Sequence, residues 1–347
     1  MKPINTALCS FGMSGWVFHA PFLTNHPGFN LYAVWERSKN LSQESYPDTR
    51  VYRTYEELLL DPEVELVIVN TPSSTHYDYA KQALQAGKNV IVEKPFTATV
   101  EQAKDLVALA AQEKVKLGVF QNRRYDSDFK TVKDVIQQGV LGELLEVEFH
   151  YDRYNLTLSP KAHKEIPGPA VGCIYDLGPH LIDQVLHLFN MPKAVFADIM
   201  ITRPGSLVDD YFEILMYYPK MKVRLKAGYQ VREPFASFVV HGSVGSFLKP
   251  RADVQETDLQ ARRSPAEPNW GVEPESGQGL LHTELDGMVV KKLVPSLPGN
   301  YMEYYEGVFK ALRLQEAMPV TGEDGVNTIA IIEAAKKSHE EGRVITL

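Results

Sequence analysis

The chain has 347 residues, 44% hydrophobic and 23% charged, with a net charge of −8. That length supplies two domains of ordinary size with a sizeable core, and the composition is that of a soluble globular protein. The acidic balance argues against nucleic acid or an acidic membrane as partner, no apolar run approaches the ~20 residues of a span, and the two cysteines fit neither a zinc nor a disulfide framework. The start, Met1–Lys2–Pro3, shows no signal-peptide pattern, so a reducing cytoplasm is the expected setting.

Residues 4–11 read as a buried strand, followed by Gly12–Met13–Ser14–Gly15 and a helix start over 16–23. A strand is expected at 31–36, a short helix at 55–60 and a buried strand at 66–70. Residues 75–86 carry apolar side chains at helix spacing and stop at Gly87. The run Val90–Ile91–Val92 is a short buried strand, ended by Glu93–Lys94–Pro95 because proline gives no N–H to a ladder. A helix at 100–113 and a strand at 116–120 complete the alternation. Such alternation predicts βαβ units and a doubly wound parallel sheet.

The period then changes. After a helix at 129–138, strands are expected at 144–154, 194–202, 211–218, 223–229 and 238–241, mainly antiparallel, with a helix at 179–189 among them. The stretch 256–278, rich in Pro, Gly and charge, reads as a surface loop region. Helices at 301–315 and 324–340 close the chain. The expected organisation is α/β: residues 1–120 a nucleotide-binding domain, residues 121–347 an α+β domain with a large open sheet.

A strand, a glycine turn and a helix present backbone N–H groups to a diphosphate. Here the G-x-G-x-x-G pattern stands as Ser10-x-Gly12-x-x-Gly15, without its first glycine. A second strand ends at Glu36, where the ribose-reading residue belongs. Glu36 suits a 2′-hydroxyl and Arg37 a 2′-phosphate, so NAD and NADP both stay open.

Ligands of open parallel sheets sit beyond the strand ends, which places Lys94 where chemistry happens. In Asp176-x-Gly178-Pro179-His180, proline suits the first turn of a helix and Asp176 or Gly178 its cap. His180 then lies at the positive end of the macrodipole, which favours the neutral imidazole a base needs. A packed histidine and a capping aspartate are the competing structural readings. Cys9 and Cys173 read as core, and the histidines show no metal spacing.

Gly12–Met13–Ser14–Gly15, Asn70–Thr71–Pro72 with His76, Glu93–Lys94–Pro95 and Asp176-x-Gly178-x-His180-x-x-Asp183 together resemble the Gfo/Idh/MocA oxidoreductase family. Phe18–His19–Ala20–Pro21 and Gln121–Asn122–Arg123–Arg124 are similar to its NADP-dependent scyllo-inositol dehydrogenase branch. The resemblance implies a Rossmann domain and hydride transfer between NADP or NAD and a cyclitol or sugar. It also implies a homodimer or homotetramer through the C-terminal sheet. The implied catalytic trio is Lys94, Asp176 and His180. The implied cofactor contacts are Phe11, Gly12, Met13, Ser14, Gly15, Glu36, Arg37, Asn70, Thr71, Pro72, His76, Glu93, Lys94 and Gln121. Asn122 and Tyr154, with Asp176 and His180, are the candidates for substrate hydroxyls, and Trp270 and His163 are weaker ones. An aldose dehydrogenase and a non-catalytic NAD(P) sensor on the same fold are the alternatives.

Overall fold

The computed structural model describes residues 1–161 and 164–347; His163 therefore lies outside the described residues. The chain forms two compact units. The first comprises residues 1–122, 255–270 and 300–326, the second residues 123–254, 271–299 and 327–347.

The first unit holds a six-stranded sheet of β1 (Ile4–Leu8), β2 (Phe29–Trp35), β3 (Arg50–Tyr52), β4 (Leu66–Val69), β5 (Asn89–Glu93) and β6 (Leu117–Phe120). The order is β3-β2-β1-β4-β5-β6 and every pair is parallel. This is the doubly wound order that reverses direction beside β1, where such sheets bind nucleotides. β1 and β4 are buried along their whole length, as strands covered on both faces must be. The connecting helices carry clear local signals. Thr54 and Glu57 form a capping box on Tyr55–Leu60, and the Thr99 hydroxyl accepts the Gln102 amide at the start of Val100–Glu113. The helix after β1 begins as a π turn, Gly15–His19, before Ala20–Asn25 settles into α geometry.

Two later stretches complete this unit. The expected loop at 256–278 contains a helix, Gln255–Gln260, and its Trp270 is buried. Trp270 donates its indole N–H to Gln255 Oε1 at 3.1 Å, and the Tyr301 amide donates to the same oxygen at 2.8 Å. The polar composition of that stretch hid this buried amide acceptor, around which it folds. Helix Met302–Arg313 follows. Its Tyr304 hydroxyl donates to Val119 O at 3.0 Å, and its Tyr305 ring stacks on Phe22 at 5.3 Å. Burying such aromatic faces contributes about 1.5–3 kcal/mol each.

The second unit is built on a nine-stranded sheet. Its strands are β7 (Leu144–Asp152), β8 (Ala194–Met200), β9 (Tyr211–Tyr217), β10 (Lys222–Gly228), β11 (Phe238–Gly242), β12 (Gly245–Lys249), β13 (Gly279–Leu285), β14 (Met288–Val294) and β15 (Ile345–Thr346). The order is β14-β13-β12-β11-β7-β10-β9-β8-β15, antiparallel except for the parallel pair β7–β10. Along β9, Phe212, Ile214 and Met216 are buried while their neighbours are half-buried, the period of a sheet packed on one face. Helix Gly178–Phe189 packs on β7 and β10 and buries Leu181, Ile182 and Val185. β12 and β15 are short and β14 is largely exposed, while the buried face of β13, Gly279, Leu281 and Thr283, carries only one large apolar side chain, so none of the four stands out in the sequence.

Candidate active site

The turn after β1 is locked by Asn70 at the end of β4. Its Oδ1 accepts the Ser10 amide at 3.0 Å and its Nδ2 donates to Ser10 O at 2.9 Å; the Ser10 hydroxyl donates to Asn70 O at 2.9 Å. A side-chain amide thus does for Ser10 what a glycine's conformational freedom does elsewhere. Gly15 has no such latitude, since a Cβ there would stand 2.6 Å from Ser10 O. Gly12, by contrast, is exposed, and a Cβ on it would meet nothing within 4 Å. An open Gly12 and a crowded Gly15 ahead of a helix fit the approach of a dinucleotide diphosphate. Phe11 is buried edge-on to Tyr46 at 6.1 Å, and Met13 is exposed.

Glu36 is committed elsewhere. Its Oε1 accepts the Leu41 amide at 2.9 Å, and its Oε2 accepts the Ser42 amide at 3.1 Å and the Ser42 hydroxyl at 2.5 Å. The carboxylate therefore caps the first turn of helix Leu41–Ser45. Arg53 braces the same loop by donating to Glu36 O at 2.9 Å, Lys39 O at 2.6 Å and Asn40 Oδ1 at 2.5 Å. Arg37, Ser38 and Lys39 are left exposed.

His76 is buried, and its ring nitrogens face Pro95 O at 2.7 Å and Thr71 O at 2.9 Å. It ties the loop after β4 to the end of β5, so it shapes the site from behind; burial holds it below its ordinary pKa. The Thr75 hydroxyl donates to that of Thr71 at 2.8 Å, after Pro72 opens a 3-10 turn. At the end of β5, Glu93 accepts the Ser14 hydroxyl at 2.5 Å, His19 Nε2 at 3.0 Å and the Lys94 amide at 3.1 Å. The Lys94–Pro95 bond is cis. Burial pushes the Glu93 carboxyl up, but His19, Ser14 and the Lys94 charge outweigh it and hold the group ionised, below its ordinary value. Gln121 and Asn122, just after β6, are buried. The structure thus gathers the glycine turn, Asn70, Thr71, His76, Glu93 and Lys94 at the carboxyl ends of the strands.

In the second unit, Asp176 and His180 stand one helical turn apart in sequence. Gly172 has φ of +104°, and a Cβ on it would fall 1.9 Å from Asp209 Oδ1. Asp209 accepts the Ile174 amide at 2.8 Å and so sets the start of helix Cys173–Asp176. Burial raises the Asp209 carboxyl to about 6. Leu177 occupies the cap position of helix Gly178–Phe189, so neither Asp176 nor Gly178 caps it, against the sequence expectation. The Asp176 carboxylate instead accepts the Tyr229 hydroxyl at 3.3 Å and lies 3.8 Å from Lys164 Nζ. His180 is buried in the first turn, its ring 6.5 Å from that of Tyr151. Three residues on, Asp183 takes Arg124 in a bidentate pair, and the Gln184 amide donates to Arg123 O at 2.9 Å. Tyr154 is exposed, and its hydroxyl accepts from Arg232 at 2.6 Å.

Sequence reasoning missed Tyr229, Tyr151 and Asp209, which are isolated strand or loop residues with no local pattern. It quoted His19 only as part of a motif. Both cysteines are buried and free, and burial pushes their thiols up, away from the reactive thiolate form. Among the described residues no group of three His, Cys, Asp or Glu could hold a metal, and no helix is long and apolar enough to cross a membrane.

Residues 4–121 match the NAD-binding Rossmann fold of the Gfo/Idh/MocA oxidoreductase family, and residues 133–347 match its C-terminal alpha/beta domain. The chain is 38% identical over 344 residues to scyllo-inositol 2-dehydrogenase (NADP(+)) IolW of Bacillus subtilis (strain 168), covering 99% of this chain and 96% of that protein. An oxidoreductase crystal structure from Bacteroides fragilis superimposes with a TM-score of 0.92 at 46% identity, covering 100% of both chains. The oxidoreductase yvaA of Bacillus subtilis superimposes with a TM-score of 0.97 at 38% identity, covering 100% of this chain and 99% of that one. The protein therefore belongs to the Gfo/Idh/MocA family and is a dehydrogenase that uses NAD or NADP.

Proposed function

We propose that the protein is an NADP-dependent dehydrogenase for a secondary alcohol or ketone of a cyclitol or sugar. The reading of the substrate rests on the full-length similarity to a scyllo-inositol 2-dehydrogenase. The reading of the cofactor rests on Glu36, whose carboxylate is held by helix Leu41–Ser45 while Arg37 stays exposed. When bound, the nicotinamide supplies hydride donation and acceptance. His180 takes the hydroxyl proton of the alcohol as general base and returns it in the reverse direction. Lys94, as a cation, stabilises negative charge developing on the alcohol oxygen. Asp176, hydrogen-bonded to Tyr229, orients His180 or holds a second hydroxyl. Asn122 contacts substrate hydroxyls, and Tyr154 contributes with its ring already held by Arg232. The active form is a homodimer or homotetramer through the nine-stranded sheet, and the compartment is the cytoplasm.

Incubating the protein with NADP or NAD and a panel of inositols, aldoses and other polyols, while following reduced nicotinamide absorbance, tests this reading. Turnover of a cyclitol with NADP supports it. Turnover of aldoses alone moves the substrate class. Cofactor binding without any turnover points to a sensor.

A further inference from the structure

We propose that His19 is a positioning residue for the reaction, which holds the cofactor turn and the Lys94 segment in one register through Glu93. The inference rests on the role proposed above for Lys94. His19 lies in the π turn after Gly15, with no solvent exposure. Its Nε2 is 3.0 Å from Glu93 Oε1, its Nδ1 is 2.8 Å from the Tyr305 hydroxyl, and its ring packs on Phe120 at 4.5 Å. Glu93 Oε1 also takes the Ser14 hydroxyl, and Oε2 takes the Lys94 amide. One carboxylate therefore joins the turn that receives a diphosphate to the backbone of the proposed catalytic lysine, and His19 is the group that fixes that carboxylate.

The Tyr305 hydroxyl donates its single proton to Phe18 O at 2.7 Å, so its oxygen accepts from His19 Nδ1–H. Nε2 faces the Glu93 carboxylate from the other side of the ring. Both ring nitrogens of His19 are therefore engaged, one against Glu93 and one against Tyr305. Tyr305 comes from helix Met302–Arg313, far along the chain, so the closing helices of the first unit are wired into the cofactor turn. A packed histidine needing only volume would not require a carboxylate at one nitrogen and a hydroxyl at the other.

The test compares His19→Gln, which keeps an amide donor, with His19→Phe, which keeps ring volume and donates nothing. NADPH binding is titrated by fluorescence without any alcohol, so a wrong substrate assignment leaves this readout intact. Steady-state kinetics of the wild type separately tests that assignment. We expect folded His19→Phe to bind NADPH about 10-fold more weakly and to lose ~10- to 100-fold in kcat with little change in KM for the alcohol. His19→Gln should recover NADPH binding to within about 3-fold of wild type. Wild-type binding and turnover in His19→Phe, or equal losses in both variants, would overturn the proposal. If His19→Phe does not fold, Tyr305→Phe decides: a rise in the NADPH Kd of about 3-fold supports the proposal, and an unchanged Kd overturns it.

Discussion

Ser42 donates two hydrogen bonds to one oxygen of Glu36, from its amide at 3.1 Å and from its hydroxyl at 2.5 Å. An acid at the end of β2 ordinarily reads a ribose 2′-hydroxyl and repels a 2′-phosphate. Here that carboxylate accepts from a helix N-terminus, and on the NADP reading proposed above the exposed Arg37 takes the 2′-phosphate. The wild type should bind NADPH more tightly than NADH. Arg37→Ala should weaken NADPH binding about 10-fold and leave NADH within about 2-fold, as loss of a charge-assisted phosphate contact predicts. Paired titrations check this, and a wild-type preference for NADH would refute it.

Lys94→Ala and His180→Ala should each lower kcat by ~10²-fold or more while NADPH binding persists. Single-turnover rates with cofactor-saturated protein separate chemistry from binding. Near-normal rates in either variant would remove that residue from the proposed mechanism.

Arg124 and Asp183 form a bidentate pair at 2.7 Å, both side chains nearly buried. Asp183→Ala removes a bidentate contact from a buried guanidinium, so it should cost about 3–5 kcal/mol of stability in urea unfolding. The double variant Arg124→Met/Asp183→Leu should recover most of that loss. A single variant within about 0.5 kcal/mol of wild type would show that the pair is solvent-screened.

Asp209 contributes a pH dependence whose sign follows from burial. Its folded pKa of about 6 lies above the unfolded value of 3.8, so the folded state binds more protons between them. The contribution is fully present below pH 3.8 and is lost as pH rises through about 6. Asp209→Asn keeps an acceptor for the Ile174 amide without the charge. Relative to wild type it should gain on the order of 1–3 kcal/mol between pH 4 and pH 7. Urea titrations at a series of pH values measure the difference, and parallel curves would contradict it.

Much of the first unit was legible from local rules. Val100–Glu113 and Tyr55–Leu60 emerge with the bounds expected, because apolar spacing and capping residues specify a helix within its own segment. The continuous runs of β4 and β5 announce strands covered on both faces. The second sheet was legible only where alternation is strong, as in β9. Edge strands such as β14, exposed along nearly its whole length, carry no such signal.

By itself the sequence determined the strand–helix alternation, the glycine turn, the Lys94 and His180 stretches and the family, since each is written in short-range spacing. Only the tertiary structure decided that Glu36 caps a helix, that Asn70 locks Ser10, that Asp209 sets the turn before Asp176, and that Tyr305 reaches His19 from the far end of the chain. The last three are choices of hydrogen-bond partner between segments tens to hundreds of residues apart, and the first turns on how a loop folds back six residues on. A buried polar group must find some partner, but no local pattern names which one, because that depends on what the folded chain brings within reach.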